Sequence, residues 1–180
     1  MTVFESQSGI SRINRGAQKN KILVSACLLG QPVRFDGRAK EIKHVILQRW
    51  QEQGRLLPIC PEVSGGLPVP RPAAEISACS AEDVIDGRGQ VLTEDGDDVT
   101  RYFLCGAQHA LILCRQQKIR LAILKENSPS CGSAQVYGGS FNAKLTPGAG
   151  ITSTLLRQNG IAVYNELEID AADKYLKTLL

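Results

Sequence analysis

The chain has 180 residues, 43% hydrophobic and 22% charged, enough to bury a core and too evenly mixed for wholesale disorder. Its formal net charge of +3 and pI near 8.6 fall short of the basic patch of a dedicated nucleic-acid binder. No run of about 18 apolar residues and no charged-then-apolar leader is present, so a cytoplasmic protein without a membrane span is expected.

Residues 1 to about 20 are polar and aperiodic and read as a flexible arm outside a single domain over 21–180. Ile22 to Ala26 reads as a buried strand that ends at Cys27. The loop Gly30 to Gly37 leads into a helix carrying Ile42, Val45, Ile46 and Trp50 at helical spacing, which Gly54 stops. A second strand, Leu56 to Ile59, enters Cys60-Pro-Glu62. The Gly/Pro-rich passage from Gly65 to Pro72 then forbids helix and central strand, and such a segment inside a compact domain reads as the wall of a pocket. Asp83 to Thr93 reads as a hairpin with Asp86-Gly87 near its turn.

Asp97 to about Lys118 is the longest helix, with Val99, Phe103, Gly106, Ala110 and Leu113 along one face. Ile119 to Leu124 is a third strand, and Lys125-Glu-Asn-Ser-Pro-Ser-Cys131-Gly forms the loop beyond it. Gly-rich loops follow at Tyr137 to Gly139 and Pro147 to Gly150. A helix from Ile151 to Gln158, a strand from Ile161 to Tyr164 and a final helix with Ile169, Ala172, Leu176 and Leu179 complete the chain. This order gives an α/β fold, a three-layer sandwich with a mostly parallel central sheet of Rossmann or flavodoxin type.

Cys27, Cys60 and Cys131 each follow an apolar, strand-like run. The carboxyl ends of strands are where open α/β sheets place their ligands, so three thiols far apart in sequence can converge there as a metal site. No Cys-x-x-Cys pair occurs, and a disulfide framework is not expected in a reducing compartment. Two readings stay open from the residues alone: buried structural cysteine, or a centre assembled from distant segments.

The blocks Ser25-Ala-Cys27-Leu-Leu-Gly30, Phe35-Asp36-Gly37, Cys60-Pro-Glu62 with Gly65-Gly66-Leu-Pro, Pro70-Arg71-Pro72-Ala-Ala-Glu75-Ile76, Leu124-Lys125, Ser128-Pro-Ser130-Cys131-Gly132 and Gly148-Ala-Gly150-Ile-Thr152 together resemble the thiouracil desulfidase family over residues 21 to 165. The resemblance implies a 4Fe-4S cluster held by Cys27, Cys60 and Cys131 with one iron left open. It implies hydrolytic, non-redox conversion of a thiolated pyrimidine to uracil and hydrogen sulfide. Glu62, held near the metal by Pro61, is the expected base, and Ser128 the hydroxyl that bonds the ring or relays a proton. Ser25, Asp36, Lys125 and Ser130 fall within the same blocks and are the expected substrate-binding residues.

The remaining candidates receive structural readings. Cys105 and Cys114 lie in the long helix, where packing accounts for them, and Cys79 matches no ligand block. Glu75 is expected to pair with Arg71, and His44 and His109 are solvated or packing residues. Two other functions compete with a small-molecule desulfidase. RNA as the substrate finds only the basic residues Arg12, Arg15, Lys19 and Lys21 in its support and is not favoured. A non-enzymatic structural-metal or electron-transfer protein needs a fourth protein ligand, and none is evident. The oligomeric state is not specified.

Overall fold

In the computed structural model, which describes residues 20–77 and 79–179, four strands form a parallel sheet: β1 (Ile22–Ser25), β2 (Leu56–Ile59), β5 (Leu121–Leu124) and β8 (Ala162–Asn165), in the order β2-β1-β5-β8. Each strand is four residues long, and β1 pairs with β2 in register from Ile22↔Leu56 to Ser25↔Ile59. Pro58 is tolerated because β2 lies at the sheet edge, where a missing N–H costs no ladder bond.

Alternation along the central strands divides the core into two layers. Leu23, Ala122 and Leu124 face one hydrophobic cluster, shared with Phe103, Ala107 and Leu156 of the helices α4 (Thr100–Gln116) and α5 (Ile151–Gln158). Ile22, Val24, Leu121 and Ile123 face the other, closed by Trp50 of α1 (Val45–Glu52) and by Ile169 and Leu176 of α6 (Ile169–Thr178). A sheet buried on both faces needs apolar residues at consecutive positions, which is why β1 and β5 read as unbroken apolar runs. The α/β three-layer reading therefore holds.

Chain order places the switch point between β1 and β5: after β1 the chain crosses to β2 on one side, and the later strands extend the sheet on the other. At such a point the loops beyond the carboxyl ends part and leave a crevice. Smaller elements build its rim. These are the 3-10 turn Ala26–Leu29, α2 (Pro61–Ser64), the antiparallel pair β3 (Ala74–Ile76) and β4 (Val91–Thr93), α3 (Ala81–Ile85), and the hairpin β6 (Gln135–Tyr137) and β7 (Leu145–Pro147).

Three sequence expectations are corrected here. Residues 83–93 are not a hairpin: Ser80 caps α3 with a full capping box to Asp83, and β4 pairs with β3 instead. Val45 is 77% exposed and begins α1 outside the buried stripe, which consists of Leu47 and Trp50. Cys105 is exposed on α4, so packing accounts for Cys114 only. The expected amino-terminal arm, apart from Asn20, lies outside the described residues.

Candidate active site

Three thiols meet in the crevice. Cys27 follows β1 on the 3-10 turn, Cys60 is the residue before α2, whose first position is Pro61, and Cys131 closes the loop after β5. All three line one cavity of ≈ 480 Å³. They interact electrostatically as well. Burial, and then the neighbouring Cys60, push the Cys27 thiol up to about 11. Burial also raises Cys60, and raises Cys131 furthest, with further upward contributions from the Cys60 and Cys27 charges. The nearby Ser25 hydroxyl works against that rise.

The Cys131 loop is held by backbone bonding to the start of α5. Gly150 N–H donates to Gly132 O at 2.8 Å, Ile151 N–H to Pro129 O at 3.0 Å and Thr152 N–H to Ser130 O at 2.8 Å. A Cβ on Gly150 would stand 2.4 Å from the Ser130 carbonyl carbon, so only glycine permits this approach. From beneath, Glu126 accepts from Ser133 N–H (2.8 Å), Ser133 Oγ–H (2.7 Å), Ala134 N–H (3.0 Å) and Gln135 N–H (2.7 Å). Burial alone would raise the Glu126 carboxyl, but these bonds outweigh it and hold it below the usual range.

Glu62 and Ser128 stand on the cavity wall and touch. Ser128 Oγ–H donates to Glu62 Oε1 at 3.3 Å and accepts from the Ser130 and Cys131 N–H groups, each at 3.1 Å. Arg71 donates to Glu62 Oε2 through Nε (2.9 Å) and Nη2 (2.6 Å), and to the carbonyls of Val33 and Pro68. The expected Arg71–Glu75 pair is not formed; Glu75 instead accepts from Phe141 N–H at 3.1 Å. The Gly/Pro-rich passage does form cavity wall, through Arg71.

The other expected substrate-binding residues separate. Ser25 and Lys125 line the cavity, yet Ser25 Oγ accepts from Lys125 N–H at 2.9 Å, and Lys125 Nζ pairs with Glu166 Oε1 at 2.5 Å. Asp36 does not line the cavity: it accepts from Arg38 N–H and faces Arg34 across a turn. Ser130 is fully buried behind the loop, hydrogen-bonded to Thr152 Oγ1 at 2.9 Å. Neither lines this cavity.

The sequence assigns no role to Glu166 and gives Arg71 only the pairing with Glu75. Glu166 directly follows β8, and a carboxylate at the carboxyl end of a sheet strand is a signal that could have found it. Arg71 had no such signal, because its partner depends on how the glycine and proline residues fold the passage back.

An α/β sheet with three thiols, a carboxylate and a hydroxyl gathered at its switch point is the framework of a metal-cluster enzyme. The comparisons agree with that class. Residues 22–168 match the family model described as 2-thiouracil desulfurase, and the chain belongs to that family. It is similar to a solved structure described as the [4Fe-4S]-dependent thiouracil desulfidase TudS: 48% identity, TM-score 0.81, covering 89% of this chain and 99% of that one. The uncharacterized protein YbbK of Bacillus subtilis (strain 168) is 38% identical over 149 residues, 83% of this chain and 97% of its own.

The residues fit an iron–sulfur cluster. The donor set is three soft sulfurs, all free of disulfides. Among the described residues no three His, Cys, Asp or Glu side chains stand close enough to hold a single metal ion. A cluster needs looser convergence, because each thiolate takes a separate iron.

Proposed function

We propose that this protein is a 4Fe-4S-dependent desulfidase that hydrolyses thiouracil or a related thiolated pyrimidine to uracil and hydrogen sulfide, with Cys27, Cys60 and Cys131 as the cluster's protein ligands and one iron left open. The observation that carries this reading is the single cavity shared by the three thiols, Glu62 and Ser128. When bound, such a cluster supplies a Lewis acid that polarises a thiocarbonyl through its sulfur.

Glu62 is the base that takes a proton from the attacking water. Arg71 occupies Oε2 with two N–H groups, which leaves Oε1 on the Ser128 side as the working oxygen. Ser128 is oriented by two backbone N–H groups on its oxygen, so its single proton points to Glu62 and can be exchanged with the departing group or the ring. The balance needs no electrons: the thiocarbonyl and water become a carbonyl and hydrogen sulfide, and both protons of the water end on sulfur, the first by way of Glu62 and the second from the added hydroxyl as the carbonyl forms. The six unpaired cysteines support a reducing, cytoplasmic setting. Among the described residues, no helix is long and apolar enough to cross a membrane.

The test is anaerobic purification, determination of iron, sulfide and zinc per chain, and incubation with 2-thiouracil and 4-thiouracil while sulfide and thiocarbonyl absorbance are followed. Close to four irons with sulfide release, abolished in Cys131→Ala and in Glu62→Gln with iron retained in the latter, is the expected result. Zinc in place of iron, or a loaded cluster that turns over no thiopyrimidine, sinks the assignment.

A further inference from the structure

The mouth of the cavity carries a feature that the chemistry at its floor does not use. Phe35, Tyr137 and Phe141 are 42%, 36% and 39% exposed, and the other aromatic side chains among the described residues are half-buried or buried. All three line this one cavity, in a chain with 5% aromatic residues. The Arg34 guanidinium lies over one face of Phe35, 5.9 Å from its centroid. Leaving these rings partly in water forgoes the burial that normally places aromatics in cores, so their gathering at one opening marks a surface kept for a ligand.

Two separate segments supply the rings. Phe35 comes from the loop between the 3-10 turn and α1, whereas Tyr137 and Phe141 come from the β6–β7 hairpin. The hairpin loop is forced into an unusual shape. Gly139, Phe141 and Ala143 have φ of +80°, +51° and +58°, and only the first of these is a glycine. A bulky residue persists in the left-handed region only where its surroundings over-determine it. Here the fastening is the Phe141 N–H bond to Glu75, a carboxylate only 7% exposed that lines the same cavity. The backbone strain and the buried anchor together fix Phe141 at the opening.

We propose that Phe35 on one lip and the Tyr137–Phe141 pair on the other form a stacking clamp for a planar heteroaromatic ring, with Glu75 as the positioning residue that holds Phe141. This rests on the desulfidase reading and narrows it: the substrate class is a flat, fully conjugated thiolated ring rather than any small thiocarbonyl compound. Stacking on an aromatic face tolerates different ring substituents and rejects a puckered ring, so the clamp selects shape while the floor selects sulfur.

The experiment compares uracil with 5,6-dihydrouracil as ligands of the anaerobically loaded holoprotein by calorimetry, and 2-thiouracil with 5,6-dihydro-2-thiouracil as substrates. Wild type, Phe35→Leu, Phe141→Leu, Glu75→Ala and Glu75→Gln are compared. Both rings are exposed, so leucine leaves the core intact, and an unchanged melting temperature serves as the control. Uracil is expected to bind about ten-fold more tightly than its dihydro analogue, with that ratio falling towards one in both leucine variants. KM for 2-thiouracil should rise by more than kcat falls. Glu75→Ala should reproduce the Phe141→Leu pattern, and Glu75→Gln, which keeps an acceptor oxygen, should restore selectivity.

A ratio near one in wild type, no binding of either ring, or a ratio unchanged by the leucine substitutions overturns the clamp, whatever the turnover. Planar-ring selectivity that depends on Phe35 and Phe141 in a loaded protein releasing no sulfide would instead retain the clamp and remove the desulfidase reading.

Discussion

Arg71 turns back on Glu62 from nine residues further along the chain and holds one carboxylate oxygen with two N–H groups, at 2.9 and 2.6 Å. The pair is nearly enclosed, with side-chain exposures of 5% and 16%. Breaking an ion pair in such surroundings strands the partner charge, at a cost of about 3–5 kcal/mol. Arg71→Met is therefore expected to lower the melting temperature and to reduce sulfide release even where iron loading is complete. Arg71→Lys keeps the charge but not the planar set of donors that also reaches the Val33 and Pro68 carbonyls, so it should rescue stability only in part. Thermal melts and steady-state rates on the two variants check this; equal kcat in wild type and Arg71→Met would remove Arg71 from any role in fixing Glu62.

Glu126 contributes to the acid limit of the fold, beside the lowered carboxyls of Asp83, Asp98 and Asp173. Despite the upward push of burial, its hydrogen bonds to residues 133–135 hold its folded-state pKa below the ordinary glutamate value of 4.5. A depressed carboxyl contributes stability that is present above the unfolded-state value and is lost as the pH falls through the lower, folded-state value. Melting curves taken from neutral to acid pH should show that loss in the wild type, and Glu126→Gln should make it smaller while the other lowered carboxyls keep their share. The variant should also be weaker at neutral pH by about 2–3 kcal/mol, because an amide nitrogen with its own hydrogens would face backbone donors where an oxygen now accepts. An acid limb of the same size in both proteins would count against this role.

Much of the frame was legible because its signals are local. The apolar runs ending in Cys27, Cys60 and Cys131 mark the strands, and the periodic stripe from Phe103 to Ala110 marks α4. The three cysteines could be placed at one end of the sheet from strand order alone. What the sequence left hidden depends on direction rather than type. Asp36 and Ser130 lie beside residues of the cavity, yet their side chains turn to Arg38 N–H and Thr152. Arg71 had two carboxylates within reach in the sequence, and only the folded passage decides for Glu62 over Glu75. The signal for α3 was present, in Ser80-Ala-Glu-Asp83, but the Asp86-Gly87 turn competed with it.

The cysteines outside the cavity provide an internal contrast. Cys114 is buried on α4 and pushed up to about 12 by desolvation, so it remains a thiol that fills space. Neither it nor Cys79 or Cys105 lines the cavity. Combined Cys79→Ser, Cys105→Ser and Cys114→Ala replacement is expected to leave iron and sulfide per chain at the wild-type level, with a stability loss of about 1 kcal/mol traceable to Cys114. Any single replacement among Cys27, Cys60 and Cys131 should instead lower bound iron. Iron loss in the triple variant would bring one of the outer cysteines into the centre.

The placement of Cys60 and Glu62 depends on a glycine contact on the far side of α2. A Cβ on Gly106 of α4 would lie 1.9 Å from the Pro61 carbonyl oxygen, and a Cβ on Gly65 would lie 2.0 Å from the Tyr102 carbonyl oxygen. The two backbones thus pack directly on each other, and neither obstacle is a flexible side chain that could move aside. Gly106→Ala must push α2 away from α4, and α2 begins at the residue after Cys60 and includes Glu62. Helix propensity favours alanine in mid-helix by about 1 kcal/mol, so a purely local effect would stabilise α4. The expected result is the opposite: a destabilisation of about 1–3 kcal/mol from overpacking, together with reduced iron content, since one ligand is carried out of place. Melting temperature and iron per chain, measured on Gly106→Ala beside a Gln108→Ala control on the exposed face of the same helix, decide the matter. A variant that melts higher than wild type with full iron would mean that α2 is not positioned through this contact.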